Sequence, residues 1–185
     1  MKGYVLSMKK ILTIFLLYLC LGLTACKSKE EAMAEIKEVS CEEAGIGFTL
    51  NGLWAEASEE EITIETKVGQ TVALSVFQKS TGSGIDIICE DLTQTDGGIL
   101  VRMDDYVAAL QEQLKIAGDY SYSCGEITTE KVYGNSYETF TAVIPELNGT
   151  QKYHIRRQED TMIVMIVTVF GEEKIEDIMS LGKEM

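Results

Sequence analysis

Apolar and polar positions alternate along much of this chain, in short runs divided by glycines, asparagines and acidic clusters. Ile46-Gly47-Phe48-Thr49-Leu50 alternates and then meets the turn pair Asn51-Gly52. Ile62-Thr63-Ile64-Glu65-Thr66, Val72-Ala73-Leu74-Ser75-Val76-Phe77 and residues 85–92 are rich in β-branched side chains and predict three further strands. Trp54, the one tryptophan, stands beside the first strand and is expected to anchor the core there.

The period changes after Gly97-Gly98. Tyr106, Leu110 and Leu114 fall four apart with Val107 on the same face, which predicts a helix over 105–115. Asp104 and Asp105 oppose the positive end of its dipole, and Gly118 stands where it would stop. Strand patterns then return at 120–128 and at Lys131-Val132-Tyr133, with a turn or bulge at Gly134-Asn135. Residues 136–144 alternate, Asn148-Gly149 signals a hairpin, and residues 151–157 form its second arm. After a turn at Glu159-Asp160, residues 162–170 are apolar on both parities, the mark of a central strand covered on two faces. Ile175, Ile178, Met179 and Leu181 predict a closing helix over 172–183. Strands, a helix, more strands and a final helix describe an α+β domain over 46–185, an antiparallel β-sheet flanked by helices.

The first 45 residues follow other rules. Residues 11–23 are apolar and preceded by Lys9 and Lys10; as a helix they rise about 20 Å, short of the roughly 30 Å of a bilayer's hydrocarbon core. The segment therefore suits a secretory leader better than a membrane span. It ends on Leu23-Thr24-Ala25-Cys26, which resembles the lipobox of bacterial lipoprotein precursors. The resemblance implies a signal peptide over 1–25, cleavage before Cys26 and a diacylglyceryl group on the Cys26 sulfur. Two acyl chains anchor stably where one is marginal, so the expected location is the extracytoplasmic face of a cell membrane. The alternative is an ordinary leader that contains Cys26 as it contains Cys20. Residues 26–45, charged and free of aromatics, are expected to form a tether, helical in part around 31–39.

Thirty acidic residues against sixteen basic ones leave a net charge of −14. Such a surface repels phosphates and anionic headgroups, which argues against nucleic acid as a partner. A chain of 185 residues with its leader removed holds one domain. Past Cys26 the cysteines are Cys41, Cys89 and Cys124, an odd number without CxxC or metal-ligand spacing. Free thiols are the favoured state, and one disulfide with a thiol left over is the other.

Little in the chain points to catalysis. His154 is the one histidine; strand parity places it with Lys152 and Arg156 on the solvent side, a poor setting for a general base or a metal ligand. Lys152, His154, Arg156 and Arg157 nonetheless form the densest basic cluster, either a positive stripe for an anionic partner or cations paired with cross-strand acids such as Glu138. Glu90, Asp91, Asp96, Asp104 and Asp105 gather around a glycine-rich loop but fit no calcium-loop spacing. No phosphate-cradling glycine motif or nucleophile elbow occurs, and Met162 and Met165 suit a core better than a copper site. No catalytic residue, metal or cofactor is assigned.

Element order carries a second resemblance. Phe48-Thr49-Leu50-Asn51-Gly52-Leu53-Trp54, the helix over 105–115, Val132-Tyr133-Gly134-Asn135-Ser136-Tyr137 and the hairpin into 162–170 before a terminal helix are together similar to the PsbP-like family. That family is named for an extrinsic photosystem protein and includes many bacterial lipoproteins; Trp54 lacks the proline expected before it. The resemblance implies a PsbP-like fold and a non-enzymatic binding or assembly role, with no catalytic residue to carry over. The expectation is a lipid-anchored envelope module that touches another envelope protein or a cell-wall polymer, through the strip at 152–157 or the loop at 93–102. The alternative is a small-molecule-binding or hydrolytic lipoprotein, which requires a concave site with convergent polar groups.

Overall fold

The computed structural model describes residues 29–58, 67–116 and 120–185. The leader, Cys26 and the strand expected at 62–66 lie outside them. A short helix, α1 (Lys29–Ala34), leads into β1 (Ile36–Cys41), β2 (Ile46–Asn51) and β3 (Trp54–Glu56). β4 (Gln70–Gln78) and β5 (Gly84–Asp91) follow, then two single-turn 3-10 helices, Leu92–Gln94 and Gly98–Leu100, and the long helix α2 (Met103–Ile116). The second half runs β6 (Ser123–Cys124), β7 (Thr128–Val132), β8 (Asn135–Ile144), β9 (Gly149–Gln158), β10 (Thr161–Phe170), α3 (Ile175–Met179) and β11 (Gly182–Glu184).

These strands make two antiparallel sheets. The larger has eight strands ordered β3-β4-β5-β10-β9-β8-β6, with β7 also paired to β8; the smaller is β1-β2-β11. β9 and β10 pair over their whole length, from Thr161 opposite Gln158 to Phe170 opposite Gly149. Asn148 and Glu159, both in the left-handed region, turn the chain at either end of β9.

The large sheet is covered on both faces. On one side Ile163, Met165, Val167, Ile85, Ile87 and Cys89 meet Val39, Cys41, Ile46, Phe48 and Leu50 of the small sheet. On the other, Met162, Val164, Phe140, Tyr153 and Ile155 meet Val107 and Leu114 of α2 and Leu92. Trp54 packs against the first of these cores. The architecture is the expected α+β one, and the helix at 105–115 is found one to two residues longer at each end. Tyr106 ties that helix to the sheet by donating to Glu90 Oε2 at 2.9 Å, an oxygen that also accepts from Gln70.

Three elements differ from expectation. Ile36–Cys41, assigned to the tether, is a strand whose Val39 and Cys41 point into the core while Lys37 and Glu38 form ion pairs outside, with Glu56 and Lys183. Charge at Lys37, on the same parity as Val39 and Cys41, hid the alternation. The closing helix stops at Met179, and the chain turns back as β11 to fill the free edge of β2, with Gly182 opposite Phe48. Gly182 is required there, because any side chain would meet the Tyr133 hydroxyl. The strand expected at 120–128 is reduced to Ser123–Cys124 against β8.

Phe48, fully buried between the sheets and edge-on to Tyr133, joins the two layers. Phe48→Ala is expected to lower unfolding free energy by about 3–5 kcal/mol, read as a lower urea midpoint at unchanged slope.

Candidate functional site

The basic strip of β9 is not a solvent-facing stripe: His154 is buried, and Lys152, Arg156 and Arg157 are half-buried. β9 lies between β8 and β10, and the small sheet and α2 pack on opposite faces of the large sheet. Parity does place Lys152, His154 and Arg156 on one face, but it is the face that also carries Met165 and Ile163, directly opposite His154 and Arg156 on β10. His154 is 1 % exposed. Its ring stands edge-on to Tyr137 at 6.1 Å between centroids, with Thr139 opposite on β8. Neither ring nitrogen has a hydrogen-bond partner among the described residues. Burial, and then the nearby Lys152 cation, pull its pKa down to about 4, so the ring is neutral near pH 7.

The cations of the strip serve the fold. Lys152 Nζ binds Glu130 of β7 at 2.7 Å, not Glu138, which accepts instead from Thr129. Arg156 reaches across the layers: Nε donates to the Tyr137 hydroxyl at 3.0 Å and Nη2 to the Ala44 carbonyl at 2.8 Å, in the turn between β1 and β2. Its guanidinium also lies over the Tyr137 ring. The four residues are thus brought onto one strand, yet they make no positive stripe.

Arg157 points the other way and holds the second candidate, the loop at 93–102. Nη2 donates to the Ile99 carbonyl at 3.0 Å, Nη1 to Val101 at 3.1 Å and Nε to Glu159 at 2.8 Å. Gly97 in the left-handed region turns the loop, and Gly98 packs against the Leu92 carbonyl where a side chain would not fit. Clamped in this way, the loop turns Ile99 and Leu100 outward, 50 % and 84 % exposed. Asp91 accepts from the Thr93 amide and hydroxyl and from Gln94, and those bonds hold its carboxyl below the usual range. Asp104 pairs with Arg102. Asp91 is therefore committed to the loop's shape, and among the described residues no three His, Cys, Asp or Glu side chains gather as a metal site.

One titrating group escaped sequence reading. Asp86, on the helix-covered face of β5, accepts from Ser75 at 2.6 Å, and loss of water raises its pKa to about 6. A lone acid within Ile85-Asp86-Ile87 carries no sequence signal beyond its parity.

The order and pairing of these elements define an α+β, PsbP-like fold. A solution structure of cyanobacterial PsbP (CyanoP) from Synechocystis sp. PCC 6803 superposes with a TM-score of 0.56 at 12 % identity, covering 88 % of this chain and 99 % of that one. At that identity the likeness concerns the fold alone. No family model matches the chain, and no curated protein matches it.

Two pH terms of opposite sign follow. His154 takes up its proton near 6.5 when unfolded and near 4 when folded, so its stability contribution is full above 6.5 and is lost as pH falls through 4. Asp86 titrates near 3.8 unfolded and 6 folded, so its contribution is full below 3.8 and is lost as pH rises through 6. Each is worth up to about 3 kcal/mol, and the two offset one another between those limits. His154→Met should make stability fall more steeply with rising pH across that window than in the parent. Asp86→Asn should make it rise. Urea titrations at a series of pH values check both, and equal slopes in the three proteins would refute the assignment. Separately, Arg157→Met should speed amide exchange at residues 97–101 while leaving α2 protected.

Proposed function

We propose that this chain is a lipid-anchored, extracytoplasmic, non-enzymatic module that binds or helps assemble another envelope component, with the loop at 93–102 as its contact element. The observation that carries the reading is the pair Ile99 and Leu100, apolar and exposed on a loop whose backbone Arg157 clamps at two carbonyls. Apolar side chains held outward on a rigid support lose little entropy on contact, the usual economy of a preorganised binding element. The strip at 152–157 is not carried forward, because its cations are committed within the fold. The lipobox at Leu23-Thr24-Ala25-Cys26 supports the anchor. Among the described residues no helix is long and apolar enough to cross a membrane.

Two arms test the reading. Cys26→Ala in the bacterial host should abolish palmitate labelling and release the protein from the membrane fraction; unchanged retention would refute the anchor. A photo-crosslinking residue at position 100 should give one discrete envelope adduct that the same probe at Lys131 does not give. Leu100→Asp, probed by crosslinking from Thr95, should weaken that adduct at least tenfold.

A further inference from the structure

Register gives the large sheet two well-separated ends. At one, Trp54 lies opposite Gln78, Phe77 opposite Gly84, Gly84 opposite Thr168 and Phe170 opposite Gly149. At the other, Gln70 lies opposite Glu90, Asp91 opposite Thr161 and Thr161 opposite Gln158. The loop at 93–102 belongs to this second end, where the Leu92 amide donates to the Asp160 carbonyl at 2.8 Å and Arg157 holds Ile99 and Val101. β9 and β10 have ten residues each, and at about 3.4 Å per residue the two ends stand about 30 Å apart.

The described chain enters at the first end. β1 starts there, with Ile36 opposite Asn51. α1 is pinned beside it: the Gly52 amide donates to the Ala32 carbonyl at 2.8 Å, and a side chain at Gly52 would collide with that oxygen. The same turn is tied to the end of β4, where the Lys79 amide donates to the Leu53 carbonyl at 2.9 Å and Lys79 Nζ to the Gly52 carbonyl at 3.0 Å. Cys26 precedes Lys29 by three residues. Whatever path they take, those residues span at most about 10 Å, and Lys29 to Ala32 adds about 5 Å of helix. Cys26 is thus confined to within about 15 Å of the Gly52 turn, half the distance to the other end.

We propose that, with Cys26 acylated as in the reading above, the end of the sheet formed by the turns at 51–53 and 79–83 faces the lipid surface and the loop at 93–102 points away from it. Met33 and Ile36, 52 % and 63 % exposed, lie beside the Gly52 turn and offer apolar contact to the headgroup region. Glu30, Glu31 and Glu35 on the same stretch give no attraction to anionic headgroups. Chain length, not charge, therefore sets the orientation. Ile99 and Leu100 are presented about 30 Å beyond the membrane-facing end, to a partner surface that stands clear of the headgroups.

The test uses the acylated chain in phosphatidylcholine vesicles that carry a nitroxide on the lipid headgroup. A fluorophore is attached at Ser80→Cys or at Thr95→Cys, both exposed positions, in a Cys124→Ser background; Cys41 and Cys89 are buried. Quenching should be at least threefold stronger at position 80 than at position 95. Labels at Glu172→Cys and Asp96→Cys, exposed at the same two ends, repeat the comparison if either first variant folds poorly. Equal quenching at the two ends, or stronger quenching at 95, in a chain that stays on the vesicles would overturn the orientation while leaving the anchor standing. A chain that does not stay on the vesicles would overturn the anchor and the orientation with it. Twenty Gly and Ser residues inserted between Ser28 and Lys29 add about 25 Å of flexible reach and should erase the contrast; a contrast that survives them would overturn the short tether as its cause.

Discussion

A sheet covered on both faces leaves its central strands little access to water, and this constraint governs the protein. β10 meets it with apolar side chains on both parities: Met162, Ile163, Val164, Met165, Val167 and Val169 are all buried. β9 cannot, because it carries two arginines, a lysine and a histidine. An unpaired buried charge costs several kcal/mol, so each cation must find an oxygen within the fold. Lys152 takes Glu130, Arg156 takes the Ala44 carbonyl and the Tyr137 hydroxyl, and Arg157 takes three loop carbonyls. The polar content of β9 thus becomes a set of ties: one to β7, one to the small sheet and one to the exposed loop. His154 meets the constraint differently, by remaining uncharged.

The same constraint sets what was legible beforehand. Alternation and turn chemistry revealed most strands, because side-chain period and burial coincide wherever one parity is apolar. The helix at α2 was readable for the same reason at a different period. Parity on β9 was also read correctly, as Lys152, His154 and Arg156 do share a face. Which face water reaches is a property of the layer above it, and that layer is built from β1 and β2, far earlier in the chain, and from β11, which follows only after β10 and α3. No local window contains it. The layer itself was concealed: Lys37 and Glu38 made β1 look like a tether, and Leu181, at helical spacing from Ile178, drew the start of β11 into the closing helix. As for the site, the loop at 93–102 was visible through its glycines, whereas the clamp that stiffens it was not, since Arg157 lies far along the chain. The shift at Asp86 depends on tertiary packing alone.

The small sheet is also where the fold closes. β11 pairs with β2 across nearly the whole domain, Glu184 opposite Ile46, so this layer cannot be complete until both ends of the domain have met. Contacts so distant in sequence carry the largest loop-closure entropy and form late. The ties that hold the layer are correspondingly varied in kind: Phe48 against Tyr133, Tyr133 hydroxyl to the Met179 carbonyl at 2.6 Å, Lys183 to Glu38 at 2.8 Å, and Arg156 to Ala44. The exposed Lys183–Glu38 pair adds little, which leaves apolar burial and two half-buried hydrogen bonds as the main ties of this layer. The loop at 93–102 lies beyond the opposite face and is fastened to the large sheet by Arg157. The small sheet and the loop that presents Ile99 and Leu100 therefore sit on opposite faces of the large sheet, and adjacent residues of β9 reach them, Arg156 to Ala44 and Arg157 to Ile99 and Val101.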